Sequence, residues 1–192
     1  ENTTINKYIT IQANATDAYG NPITGTITIT VDGETIISQP FVSTITAYYV
    51  SEEAGHKVIT LTYTDSNGVY ATTSTTSNLN VLLNNAVITI DPINTTINKT
   101  TPITVTVTGE DGRAVDNGTI EFTAYDTTVL GVANVTNGVA TITITPTEIE
   151  NTTIYAHYLG NELYNESTAS TTYFVNNIKP TITVENMTIT SN

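Results

Sequence analysis

His56 and His157 are the two side chains of this chain that could carry a proton near neutral pH. Neither stands in a Ser/Asp constellation, and both fall on or beside stretches that read as strands. The adjacent carboxylates Glu52-Glu53 and Glu110-Asp111 sit beside turn residues, where charge is solvated, so they support no glycosidase chemistry. Cysteine is absent, which removes disulfides, zinc-thiolate sites and cysteine nucleophiles together. The inventory is that of a protein that is no enzyme. Oxygen-rich loops holding Asp17, Asp65, Asp111, Asp116 and Asp126 leave room for a structural calcium, centred on Asn84–Asn85 and the loops facing it. The Asp-x-Asp-x-Asp-Gly spacing of a dedicated calcium loop is missing, and no other cofactor or metal is expected.

Lys7 and Lys99 occupy equivalent places, and a lysine near an early strand could form an amide with an asparagine on a late one. Asn78 and Asn80 are the candidates, but their counterparts, Ser170 and Thr172, cannot react in that way. Nine Asn-x-Ser/Thr triplets, headed by Asn2, Asn14, Asn94, Asn98, Asn117, Asn134, Asn151, Asn165 and Asn186, are N-glycosylation candidates. An aromatic sugar platform has little to draw on: there is no Trp, and adjacent residues such as Tyr48 and Tyr49 point to opposite faces of a strand. The net charge of −13 disfavours nucleic acid and anionic lipid surfaces. No apolar run approaches the roughly 18 residues that a spanning helix requires, so no membrane insertion is expected in this segment.

The elements that must position these groups are strands. Thr alternates with Ile and Val over Ile23–Val31, Ile103–Val107 and Thr141–Ile144, a period of two that turns aliphatics to one face and hydroxyls to the other. Thr keeps strand propensity through its branched Cβ while keeping the wet face soluble. Asp32-Gly33, Asn67-Gly68, Asp111-Gly112 and Asn137-Gly138 are dipeptides that tolerate positive φ in tight hairpins. Strands with turn signals every 8–12 residues predict an all-β sandwich.

The chain also repeats itself. Asn2-Thr3-Thr4-Ile5-Asn6-Lys7 recurs from Asn94, and Asn84-Asn85 recurs at Asn176-Asn177, each 92 residues on (94 − 2, 176 − 84). A third, partial start stands at Asn186-Met187-Thr188-Ile189. Tyr19-Gly20-Asn21-Pro22-Ile23-Thr24-Gly25-Thr26-Ile27 and, more fully, Asp111-Gly112-Arg113-Ala114-Val115-Asp116-Asn117-Gly118-Thr119-Ile120 resemble the turn and strand of bacterial Ig-like domains of the third group. Asn137-Gly138-Val139-Ala140-Thr141 and Tyr158-Leu159-Gly160-Asn161-Glu162-Leu163-Tyr164 resemble two further hallmarks. Unit one departs from them at Tyr63–Gly68, where the glycine expected two residues after the tyrosine is missing. The Ile/Asn/Thr-rich style is similar to adhesin-like surface proteins of methanogenic archaea. The resemblance implies an extracellular, cell-surface glycoprotein built from two tandem Ig-like β-sandwich domains plus a C-terminal extra strand.

The expected divisions are 1–84, an Ig-like domain lacking its first strand; 85–177, a complete one; and 178–192, the first strand of a next repeat or a donor strand. Val87-Ile88-Thr89-Ile90 has no counterpart ahead of unit one, whereas Thr181-Ile182-Thr183-Val184 repeats its pattern at the far end. Three arrangements fit. The missing strand lies upstream in a longer array, or the tail of one molecule completes the next, or Ile5, Ile9 and Ile11 cover the gap. In the second case Ile182, Val184, Met187 and Ile189 would enter the neighbour, and the module would polymerise head to tail. The partners expected are neighbouring Ig-like repeats or identical subunits. The alternative function is an adhesin module binding a host, cell-wall or carbohydrate ligand through its loops, with Ile36–Tyr49 the stretch that differs most between units. Short linkers at Leu83–Ala86 and Val175–Lys179 restrict bending between repeats.

Overall fold

The structure, a computed structural model, describes residues 1–42, 44–125 and 127–184. Its ordered elements are all strands: β1 (Asn2–Thr4), β2 (Ile9–Ala13), β3 (Gly25–Val31), β4 (Glu34–Phe41), β5 (Ile45–Tyr49), β6 (Gly55–Thr64), β7 (Thr73–Leu82), β8 (Ala86–Ile90), β9 (Ile93–Thr96), β10 (Thr101–Gly109), β11 (Thr119–Ala124), β12 (Thr128–Asn134), β13 (Val139–Ile144), β14 (Glu150–Tyr158) and β15 (Ser167–Asn176). They divide into two compact units. The first holds Glu1–Asn85 with the short segment Asn161–Asn165; the second holds Ala86–Gly160 and the chain from Glu166 on.

The two units share one plan. Unit 1 has a five-stranded sheet in the order β1-β7-β6-β3-β4, facing the pair β2-β5. Unit 2 has β12-β11-β14-β15-β9, facing β13-β10-β8. Alternation turns Ile27, Ile29 and Val31 of β3 and Ile103, Val105 and Val107 of β10 inward, where all six are buried. In both units the first and last strands of the larger sheet run parallel: β1 lies on β7 with Asn2 beside Asn80, and β9 lies on β15 with Asn94 beside Phe174. The copied Asn residues reinforce these pairs. Asn80 Nδ2 donates to Asn2 Oδ1 at 3.1 Å, and Asn176 Nδ2 donates to Asn94 Oδ1 at 2.6 Å.

The units differ in one strand. β8 pairs antiparallel with β10, placing Ile90 opposite Val105 and Ile88 opposite Val107. On the corresponding side of β2, the described residues supply no strand. Asn177–Val184, although they include a sequence like that of β8, form no strand.

The turn dipeptides divide into two kinds. Asp32-Gly33 and Asn137-Gly138 place both residues at positive φ. At Asn67-Gly68 and Asp111-Gly112 only the glycine does so. There a carboxylate shapes the turn: Asp65 holds the first of these and Asp111 Oδ1 accepts from the Arg113 N–H at 3.1 Å. The repeat offset also drifts, because the loops differ in length. Ile120 pairs with Tyr158 as Ile27 pairs with Tyr63, so His157 stands where unit 1 has Thr62, and not at Asp65 as a uniform offset implies.

The linker residues at the end of unit 1 are tied into it. Leu83 packs against its core, the Asn84 N–H donates to Leu163 O at 3.0 Å, and the Asn165 N–H donates to Asn84 O at 2.9 Å.

Candidate functional site

The residues with chemical potential are held apart from one another. His56 is exposed on β6, opposite Asn80. His157 projects from β14 on the outer face of the larger sheet of unit 2. Its Nε2 lies 3.1 Å from Thr123 Oγ1, its Nδ1 3.1 Å from Thr168 Oγ1, and its ring stacks on Tyr155 with centroids 6.0 Å apart. A depression of about 590 Å³ beside it is lined by Glu121, Thr123, Glu166 and Thr168, among others. With a hydroxyl at each ring nitrogen, His157 serves as a cross-strand polar tie, bridging β11 and β15.

The loop aspartates shape their own turns. Asp17 accepts the Tyr19 and Asn21 N–H groups at 2.9 and 2.8 Å and the Asn21 side-chain amide at 2.9 Å. Asp65 accepts Asn67, Val69 and Tyr70 N–H groups at 3.1, 2.7 and 3.0 Å. Asp116 Oδ1 accepts the Asn137 N–H at 3.0 Å. Among the described residues no three His, Cys, Asp or Glu side chains gather as a metal site would require. Asp126 lies outside the described residues.

These bonds carry a pH dependence. The Asn21 amide holds the Asp17 carboxyl below its ordinary range, the Val58 N–H with Lys57 does so for Asp32, and the Tyr70, Asn67 and Val69 N–H groups do so for Asp65. A carboxyl whose folded pKa is depressed contributes stability that is present above its unfolded pKa and lost as pH falls through the folded one. All three belong to unit 1. Acid titration is therefore expected to lower the unfolding temperature of unit 1 as pH falls below 3.8, the ordinary value of these groups. Asp65→Ala should flatten that fall, which thermal melts between neutral and strongly acid pH would measure.

Lys7 and Lys99 are exposed, each following an asparagine at positive φ, Asn6 and Asn98. Asn78 is exposed, and the Asn80 side-chain amide donates to Asn2 Oδ1. The asparagines at positions 2, 14, 94, 98, 117, 134, 151 and 165 are all exposed, whereas Asn186 lies outside the described residues. Tyr48 is exposed, and Tyr49 is half-buried against the core, as the two faces of a strand dictate.

The most built feature is one that sequence reasoning did not assign to residues. A groove of about 260 Å³ opens in unit 1 between the opposite sheet and the edge of β2 that no strand among the described residues covers. Asn14, Ala15 and Thr16 form one wall, and Leu61, Tyr63, Thr73 and Thr75 contribute to the others. Registers identify its counterpart in unit 2. Ile59 pairs with Ser77 as Ile154 pairs with Thr171, so Thr75 and Ser77 answer to Ala169 and Thr171. Thr171 is buried and Ala169 half-buried, whereas Ser77 and Thr75 are exposed. Ala156, wholly buried, answers to Leu61, which is half-covered. Ile5 and Ile11 are buried in the core, but they leave this groove open. The signal was present in the sequence, since the inward positions of early β7 are Thr73, Thr75 and Ser77 rather than aliphatic.

Of the four residues expected to enter a neighbouring domain, Ile182 and Val184 are 89% and 82% exposed. Met187 and Ile189 lie outside the described residues.

Known proteins place this geometry in context. No curated protein matches the chain in sequence. Among solved structures, titin domains A168–A170 superpose with a TM-score of 0.52 at 13% identity, covering 92% of this chain and 62% of that one. Titin domains z1z2, solved in complex with telethonin, give 0.50 at 14% identity and cover 93% of each chain. The fibronectin(III)-like modules of Clostridium thermocellum CbhA give 0.40 at 15% identity, covering 97% of this chain and 95% of that one. At such identities the two titin superpositions bear on fold alone. Residues 88–176 match the family described as bacterial Ig-like domain (group 3), and the chain as a whole is all-β, built from Ig-like β-sandwich units.

Proposed function

We propose that this chain is a structural repeat module of an extracellular, cell-surface stalk or fibre, whose units are completed by strands from beyond their own boundaries. Between separate chains this takes the form of head-to-tail polymerisation. The observation that carries the reading is the strand imbalance: β8 completes the smaller sheet of unit 2, no strand among the described residues does the same for β2, and a sequence of the β8 pattern lies in the tail. The partners are neighbouring Ig-like repeats or identical subunits. The match of residues 88–176 to a bacterial Ig-like family supports a surface role, as do exposed Asn-x-Ser/Thr sites suited to glycosylation on an exported chain.

The test is light scattering coupled to size-exclusion chromatography, with electron microscopy of any large species. Residues 1–192 should give a ladder of oligomers or fibres, and deletion of residues 178–192 should return them to monomer. A monomer whose mass the deletion leaves unchanged would remove polymerisation. The adhesin reading draws on exposed Tyr48 within Ile36–Tyr49, but its neighbour Tyr49 turns to the core, which makes it the weaker reading.

A further inference from the structure

The β2 edge can be read residue by residue from the edge that β8 occupies. β2 pairs with β5 through Ile11 and Ala47, as β10 pairs with β13 through Ile103 and Ile142. The turns that follow agree. The Asp17 N–H donates to Asn21 O and the Ile23 N–H to Ala15 O, as the Gly109 N–H donates to Arg113 O and the Val115 N–H to Val107 O. Ala13, Asn14 and Ala15 therefore stand for Val105, Thr106 and Val107.

Val107 uses its backbone on the side away from β8, donating to Gly138 O at 2.8 Å and accepting from the Val115 N–H at 3.1 Å. In an antiparallel ladder the neighbouring residues then face the other way. Thr106 and Thr108 face β8, and Asn14 and Thr16 face the corresponding edge of β2. Their donors and acceptors form a template for an added strand, and the groove beneath offers apolar surface at Ala15, Leu61 and Tyr63.

We propose that this groove is the acceptor site for Thr181–Val184 of a second copy of the chain. The tail strand adds antiparallel to β2, with Ile182 opposite Ala15 and Val184 opposite Ala13, as Ile88 and Ile90 lie opposite Val107 and Val105. Ile182 and Val184 turn inward on the parity of Ile88 and Ile90, which are half-buried in unit 2. Thr181 and Thr183 face solvent, as Val87 and Thr89 do. Because donor and acceptor are different surfaces, the contact does not close on itself and propagates as a fibre. This assignment rests on the fibre reading above and gives it a site and a register.

The absence of cysteine permits a clean test. One preparation carries Ala15→Cys and another Ile182→Cys, and the two are mixed under oxidising conditions, so that only contact between molecules can link them. Opposed residues of a non-hydrogen-bonded pair have Cα atoms about 4.5 Å apart, within the disulfide range of about 4.4–6.8 Å. A disulfide-linked heterodimer is expected, and Ala15→Cys mixed with Thr183→Cys, on the opposite face, should give none. In parallel, a synthetic peptide of residues 178–192 is added to the unsubstituted chain. At about 100 times its Kd it should slow amide exchange at Asn14 and Thr16 about 100-fold and return any oligomers to monomer. Oligomers that need residues 178–192, with no Ala15–Ile182 link and no peptide protection, would overturn the groove and spare the fibre. Protection and cross-linking in a chain that is otherwise monomeric would support the groove and overturn the fibre. Absence of cross-link, protection and oligomers would overturn both.

Discussion

Tyr158→Ala is expected to destabilise unit 2 by about 3–5 kcal/mol, the range for losing a buried aromatic ring. Tyr158 is almost wholly buried at the end of β14, and its hydroxyl donates to Asn117 O at 3.3 Å. Its ring lies against Gly118, at φ +95°, where a Cβ would come within 2.4 Å of the ring edge. The pair is therefore coupled: the glycine makes room for the ring, and the ring fills the space that no side chain occupies. Gly118→Ala should be severe too, since it adds both backbone strain and a clash with a ring that has nowhere to go. Tyr158→Phe keeps the packing and should lose only about 0.5–1.5 kcal/mol with the hydrogen bond. Chemical denaturation measures all three, with the unfolding of unit 1 as an internal reference. A Tyr158→Ala loss below that of Tyr158→Phe would refute the packing argument.

Introducing Asp at both Ile88 and Ile90 is expected to cost unit 2 roughly 2–4 kcal/mol. Both side chains are half-buried, so each forfeits part of its apolar burial, and each carboxylate then faces the surface that β8 covers. The prediction is instructive because it weakens in unit 2 the strand that has no counterpart beside β2 among the described residues. Thr171 and Ala169 should become accessible, which hydrogen exchange along β15 would register. The same changes at outward-facing Val87 and Thr89 should leave stability nearly unaltered. Equal losses from the two pairs would mean that β8 does not sit over the core in the expected register.

The strands were legible because their signal is local. A period of two needs only adjacent residues, and in β3 and β10 it alone assigns the inward aliphatics. The repeated Asn-Thr-Thr-Ile-Asn-Lys sets the phase of each unit, which is why the sequence raises the expectation of a strand ahead of unit 1. What escaped was whatever depends on pairing between distant residues. The ties of His157 to Thr123 and Thr168 cross three strands, and a uniform offset misplaced its equivalent because loop insertions shift the repeat between β10 and β14. The packing of Tyr63 and Tyr158 on Gly25 and Gly118 escaped for the same reason: the residues lie 38 and 40 positions apart (63 − 25, 158 − 118), and a glycine before a strand reads as turn chemistry. Asp32 and Asp111 look alike in the sequence, because an aspartate before a glycine can either adopt positive φ, as Asp32 does, or hold the turn through its carboxylate, as Asp111 does.

The parallel pairing of first and last strands determines how each unit bears tension along the chain. In unit 2 the chain enters β9 at Ile93, beside Tyr173, and leaves β15 at Asn176, beside Thr96. Pulling the two ends apart drives these strands past one another along their lengths. The rungs between them, and the Asn176–Asn94 side-chain hydrogen bond with them, are then loaded together in shear rather than peeled one at a time. Unit 1 repeats the arrangement, with Asn2 beside Asn80 and Thr4 beside Leu82. The duplicated Asn-Thr-Thr thus marks the place in each unit where a pulled chain grips itself.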